Sequence, residues 1–370
     1  MESKKEVISK YLSDLGFKEN EIINIIEVFP QILGLTPNNL DKTVNYFKSI
    51  GLNMEEIWYV INAIPNIVGY NDKTLAKKKQ FYLELGYKDS EITKMFISYP
   101  NIFVYSSTTI MDKISYFIEF GYSKEEVLKM YKMCPRLIGR DNKSTEEKIN
   151  VLKELGFTKE QIIKIGKYLP AIFGYGIESL NKKFKEYLEL GYTKMDVIKM
   201  ICNTPSLFSM DMNTLKQKIN NLVELGFTQQ GVIDMTKKLP ALFSYSIESL
   251  KLKIEIFLGY NFTMEEIISM GNKYPGIFSG DPEKLKKKLE YLKEINLIRC
   301  LIEKPKNLMQ SVELTYARYK FYESNGIIIT MDNYGRLFDS EKTFEKRSHY
   351  TKEELMRIYK YEEFLGEERV

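Results

Sequence analysis

Apolar residues recur along this chain at the three- and four-residue spacing of an amphipathic helix. Val7, Ile8, Tyr11, Leu12 and Leu15 form one such stripe; Leu250, Ile254 and Phe257 form another, which returns in the neighbouring segments. The stripes end at glycines. Gly16, Gly51, Gly86, Gly121, Gly156, Gly191 and Gly226 stand 35 residues apart, and Asn261 and Asn296 hold the next two places in the series. Asn is the side chain that best replaces Gly in the left-handed turn after a helix, so the same backbone role is expected there. Pro30, Pro65, Pro100, Pro135, Pro170, Pro205, Pro240 and Pro275 run in step with it. Two phased series of this length define a repeat array.

Each unit reads as two helices. The glycine is followed by an aromatic or Leu, then in the later repeats by a capping residue: Ser123, Thr158, Thr193, Thr228 or Thr263. Glu126, Gln161, Asp196 and Glu266, three positions on, complete or approximate capping boxes, and Ile or Val always follows as the second half of a hydrophobic staple. Helix A therefore starts cleanly and runs to the proline, which stops it. The apolar pair after the proline, as in Pro100-Asn-Ile-Phe or Pro240-Ala-Leu-Phe, is too short for a strand and predicts a turn of 3₁₀ helix. Helix B opens at signals such as Thr36-Pro37 or Asp281-Pro282 and ends at the next glycine.

This frame predicts an all-α solenoid, a superhelix of either hand. Residues 1–15 form an N-terminal capping helix and residues 16–326 the repeats, eight full units to 295 and a shortened ninth over 296–326. Residues 327–370 form a C-terminal cap. Within it Tyr350-Thr-Lys-Glu-Glu-Leu355 repeats the start of a helix A, and 327–349 reads only as a connector.

Composition adds constraints. The net charge of +4 over 370 residues permits nucleic-acid binding without demanding it. Cys134, Cys202 and Cys300 lie far apart, which argues against a disulfide framework or zinc site and suits a reducing compartment. His349 is the only histidine. With no Cys–His pair, glycine-rich phosphate loop or repeated acidic ligand set, no enzyme, metal or cofactor is expected. The N-terminal stretch lacks an apolar signal core, carries Glu2, Glu6 and Asp14, and is arginine-free; no apolar run approaches a membrane span. A monomeric cytoplasmic protein of bacterial type is expected, or a mitochondrial-matrix one if a presequence is missing.

The unit Leu155-Gly-Phe-Thr-x-x-x-Ile, closed by Leu169-Pro-Ala-Ile-Phe-Gly and then Ser179-Leu-x-x-Lys, resembles the repeat of the mitochondrial transcription termination factor (mTERF) family. The likeness covers roughly 16–326. It implies two α-helices and a 3₁₀ helix per repeat in a curved superhelix. It also implies binding of double-stranded DNA along a basic groove, influence on transcription and its termination, and RNA-related roles in some members. Pentatricopeptide repeats share the period but place Gly and Pro close together, whereas here they are fourteen residues apart. Abundant Lys, Ile, Asn and Tyr point to an AT-rich genome and a bacterial relative.

Equivalent positions of a stacked array line up in columns, and one is basic: Lys78, Lys113, Lys148, Lys183, Lys218, Lys253 and Lys288, with Arg318 in the same place after Pro305. Only the first repeat departs, with Thr43. The position lies at the edge of helix B's apolar stripe. A ladder tracking a phosphate backbone is one reading; stems packed on the core, with ammonium groups on neighbouring helix-end carbonyls, is the other. A second basic set surrounds the prolines: Lys132, Arg136, Arg140, Lys167, Lys237, Lys238 and Lys273. Arginine is scarce, so phosphate contact is expected over base reading. Tyr105, Tyr175 and Tyr245 either pack or stack on exposed bases. Nucleic acid, with duplex DNA favoured and RNA the variant, is the expected partner; a protein-binding scaffold is the alternative.

Overall fold

The computed structural model describes residues 3–361; the last nine positions of the expected C-terminal cap lie outside them. Among the described residues there are 21 α-helices and ten 3₁₀ segments, and no strand. After a first helix at Lys4–Asp14, helix A, a 3₁₀ connector and helix B follow one another eight times. In repeat 5 they are Lys159–Tyr168, Pro170–Gly174 and Ile177–Glu189. Repeat 9 keeps only Cys300–Glu303 as its helix A.

The start and stop of each helix A have local causes. Asn53, Ser123, Thr158, Thr193 and Thr263 each accept the amide of the residue three on, and the acid or amide side chain there returns to the cap's own N–H. At Lys18 and Lys88 only the returning half exists, since an ammonium cannot accept. Helix A ends two residues before the proline, because the pyrrolidine ring pushes its predecessor out of the helical region; Leu169 sits at φ −137°, ψ 69°. Helix B ends in a left-handed residue. The phased glycines have φ between 93° and 122°, and Asn261 and Asn296 take 62° and 55°, as their place in the series predicts.

The two compact units divide between Lys182 and Lys183, inside helix B of repeat 5. In the first, helices A of repeats 1, 2 and 3 pack in succession, as do the connectors of repeats 3, 4 and 5. In the second, helices A of repeats 6 to 9 pack in succession and so do helices B. The connector's apolar pair belongs to the core of both units. Ile102 and Phe103, Ile172 and Phe173, Leu242 and Phe243 are all buried, as are Leu250, Ile254 and Phe257 of the helix B stripe.

The stretch 327–349 is more than a connector. It contains a 3₁₀ segment at Tyr334–Phe338, a cap at Ser340, a helix at Glu341–Ser348 and a left-handed residue at His349. That is the order of connector, helix B and terminating residue, so 327–349 is a degenerate repeat. Lacking both a proline and a glycine at the diagnostic places, it gave no signal in the sequence. Helix Lys352–Ile358 opens with the expected Thr351/Glu354 capping box and packs on helix B of repeat 9.

Steric fit between repeats explains some of the variation at one helix A position. Tyr122 follows the glycine of one repeat and donates its hydroxyl to Ile162 O at 3.2 Å in the next. Gly166 is what admits it: a methyl group there would collide with the Tyr122 hydroxyl and lie 2.8 Å from the Phe173 ring. Tyr192 meets Thr236 at the corresponding place, hydroxyl to hydroxyl at 2.7 Å. Gly166→Ala, which in an open helix gains about 1 kcal/mol, should here cost about 1–2 kcal/mol by urea unfolding. In a Tyr122→Phe background, where the hydroxyl is gone, the same substitution should cost less.

Candidate nucleic-acid interface

The basic column on helix B does not face an open groove as a row of free charges. Lys78 Nζ donates to Tyr105 O at 2.8 Å and Lys218 Nζ to Tyr245 O at 2.8 Å, each 27 residues on, at the end of the next connector. Lys113 makes the same bond to Arg140 O. Lys253 donates to Phe278 O at 2.8 Å and lies over the Tyr245 ring. Arg318 donates to Leu337 O at 2.9 Å and Asp339 O at 2.7 Å, against Phe344. Lys148 bonds Ser144 Oγ at 2.9 Å, and Lys183 is half-buried. Burial holds Lys78, Lys113, Lys183 and Lys253 below the usual lysine range.

Thr43 identifies what the column needs. It occupies the lysine's place in repeat 1 and its hydroxyl donates to Tyr70 O, again 27 residues on. An uncharged donor serves, so what Thr43, Lys78, Lys113, Lys218 and Lys253 share is a hydrogen bond to a connector carbonyl, not a charge. For Lys253, Lys288 and Arg318, exposed by 3%, 3% and 1%, the expectation of a phosphate-facing ladder is corrected by burial. Sequence periodicity placed these residues in register but could not show which way the side chains turn.

The second basic set divides in two. Lys132 pairs with Glu91 at 2.8 Å, Lys167 with Glu126 at 2.5 Å and Lys237 with Asp196 at 3.3 Å. In each pair the acid is the capping-box residue of the preceding helix A, so one carboxylate both caps its own helix and receives the next. The Lys132 and Lys167 bonds lead the effects that hold Glu91 and Glu126 below the usual carboxylate range. Lys238 and Lys273 donate to Asn272 O and Ile302 O at 2.5 and 2.7 Å while staying exposed. The Arg136 and Arg140 guanidiniums have no hydrogen bond or ion pair among the described residues. The tyrosines pack: Tyr105 bonds Tyr99 hydroxyl to hydroxyl, Tyr245 lies under Lys253, and Tyr175 is half-buried.

A further column escaped the sequence reading. Lys94, Lys129 and Lys164 occupy the sixth position of helix A in repeats 3, 4 and 5, six residues before their prolines. All three are exposed and none has a hydrogen bond or ion pair among the described residues. Lys129 also lines a cleft of about 480 Å³ with Lys88, Lys124 and Lys132, against two acids, Glu91 and Glu125. In the second unit Lys199 holds the same position, also exposed. The 35-residue frame contained this signal. It was masked because the column covers only four repeats, whereas the helix B column runs nearly the whole array.

Stacked helix–3₁₀–helix units with solvent-facing basic stripes define the class of helical-repeat binding proteins. The mTERF family model matches residues 1–119, 75–188 and 181–345, and the chain belongs to the mTERF family. No curated protein matches the chain. The family consists of non-enzymatic repeat proteins, and membership suggests nucleic-acid binding and a transcription-related role. Among the described residues no helix is long and apolar enough to cross a membrane, and no cluster of His, Cys, Asp and Glu is set to hold a metal ion.

Lys288 yields a pH prediction. Burial pushes it down to about 7; its ammonium bonds Thr315 Oγ1 beneath the Phe338 ring, with Arg318 adding repulsion. The folded value lies below the unfolded one, near 10.4, so between them the unfolded chain binds more protons and stability rises with pH. From pH 6.5 to 9 the protein should gain about 2 kcal/mol relative to Lys288→Met, measured by urea unfolding of both. Parallel profiles would show that Lys288 titrates normally.

Proposed function

We propose that this protein is a non-catalytic nucleic-acid-binding array that grips duplex DNA by its phosphates and so influences transcription, including its termination. The observation that carries the reading is the set of Lys94, Lys129 and Lys164, exposed at one position in three successive repeats without a hydrogen-bond or ion-pair partner among the described residues. Packed helices lie about 10 Å apart, so the three ammonium groups would span about 20 Å, or roughly six base pairs of rise. Lysine meets phosphate as a point charge and reads no base edge, which fits binding of low sequence preference. In the second unit Lys199 offers the same chemistry, exposed at the same helix A position. Three free thiols, Cys134, Cys202 and Cys300, suit either a bacterial cytoplasm or a mitochondrial matrix, both of which hold DNA.

One observation favours a protein-binding face as well. Leu188, Val223 and Leu258, at one helix B position in three successive repeats of the second unit, are 40%, 39% and 42% exposed. A salt titration separates the readings. Affinity for a short duplex should fall with salt at a log–log slope of about −3 or steeper, and Lys94→Glu/Lys129→Glu/Lys164→Glu should reduce that slope by about 3. The same triple variant should keep the unfolding midpoint, whereas Lys78→Met should lower it by removing the half-buried donor to Tyr105 O. Wild-type affinity and slope in the triple variant would sink the assignment.

A further inference from the structure

The first 298 residues contain two arginines, Arg136 and Arg140, and both line one open groove of about 440 Å³ in the first unit. Facing them are Tyr59 from helix A of repeat 2 and Tyr99 and Asn101 from the end of repeat 3's helix A and its connector. Among the described residues no carboxylate lines the groove. This sets it apart from the neighbouring helix A contacts, where Lys132 and Lys167 each meet an acid. Two guanidiniums share one concavity without a counter-ion.

The site is held in place from several sides. Lys113 fixes the Arg140 main chain by donating to its carbonyl. The Arg140 guanidinium lies on Gly174 of the next connector, where an added Cβ would stand 3.0 Å from Nη2. Gly139 leaves no room for a side chain because the Tyr99 and Tyr105 hydroxyls, bonded to each other at 3.0 Å, occupy that space. Burial and the bond to Tyr105 push Tyr99 up to about 12, against the pull of the two arginines, so it remains a neutral donor at physiological pH. Tyr59, 47% exposed, offers an open ring face. The groove thus combines two positive charges, that of Arg140 seated on Gly174 and that of the exposed Arg136, with hydroxyl and amide donors and an aromatic wall.

We propose that this groove binds the terminal phosphate monoester of a nucleotide, with Arg136 and Arg140 on the phosphate and the Tyr59 ring against the base. A monoester carries about −1.5 to −2 charges at neutral pH, which two guanidiniums match, and the planar fork suits its paired oxygens. An internal phosphodiester carries a single charge and needs no such pairing; lysines serve it elsewhere on the surface. Base–aromatic stacking tolerates any base, and the volume lies within the usual range of ligand pockets. The nucleotide is either the 5′ end of a strand, in which case the inference rests on the nucleic-acid reading, or a free mononucleotide, in which case it does not.

The full chain would be tested with one short 3′-labelled strand bearing a 5′-phosphate or a 5′-hydroxyl, and with AMP by calorimetry. The phosphorylated strand should bind about tenfold more tightly than the hydroxyl strand. Arg136→Lys/Arg140→Lys keeps the charge and removes the fork; it should bring the phosphorylated strand down to the affinity of the hydroxyl strand. The end preference should survive in the Lys94/Lys129/Lys164 charge-reversal variant. If no strand binds while AMP does, and the double Arg variant weakens AMP about tenfold, the site stands with the free nucleotide as its source and the nucleic-acid reading falls. Equal affinity for both strands together with no AMP binding overturns the site. So does an end preference that persists in the double Arg variant, whose unfolding midpoint is to be checked alongside.

Discussion

A pyrrolidine ring at the head of each connector shapes most of the array. The ring ends helix A, turns the chain into a single 3₁₀ turn and leaves a run of backbone too short to satisfy its own carbonyls. The last connector carbonyl must find a donor outside the segment, because a buried unpaired one is costly. Helix B of the preceding repeat supplies it, through Lys78, Lys113, Lys218 and Lys253, and through Thr43 where lysine is lacking. One unpaired connector carbonyl, met again in repeat after repeat, thus accounts for the members of the charge column that bond it.

That regularity is also why the sequence misleads about function. A residue repeated in every unit satisfies a need repeated in every unit, and in an array that need is packing. Lys78 and its equivalents sit at a stripe edge, where a helical wheel cannot distinguish a side chain turned toward solvent from one reaching 27 residues ahead. Thr43 was the legible clue, since a neutral hydroxyl adds no charge to a phosphate ladder yet makes the same bond to a connector carbonyl. Lys94, Lys129 and Lys164 were equally visible in register and passed unnoticed because their column is short.

The fold was more legible because its determinants are local. Capping boxes such as Thr158 with Gln161, prolines that stop helices, and left-handed residues at helix ends act within a few positions, and each leaves its own residue type. Asn261 and Asn296 show how specific that record is: they depart from glycine and still report the same backbone angle sign. Where the local markers are replaced, as with Tyr334 for proline and His349 for glycine, the repeat at 327–349 vanished from view although the chain still builds it.

The basic residues fall into three conditions: tied to carbonyls, paired with the capping acids of a neighbouring repeat, and free. Only the last can attract a polyanion at little internal cost, since drawing on either of the others would break a bond that the array uses to stack. A modest net charge of +4 is therefore compatible with a binding surface, because what counts is the number of cations left over after the architecture is satisfied. By the same logic the irregular positions carry the most functional information. Arg136 and Arg140 appear in one repeat alone, where the repeats on either side carry Asn101 and Ala171, and Tyr105 and Tyr175, and among the described residues they meet no acid. A side chain that the period does not require has to be explained by something the period does not contain.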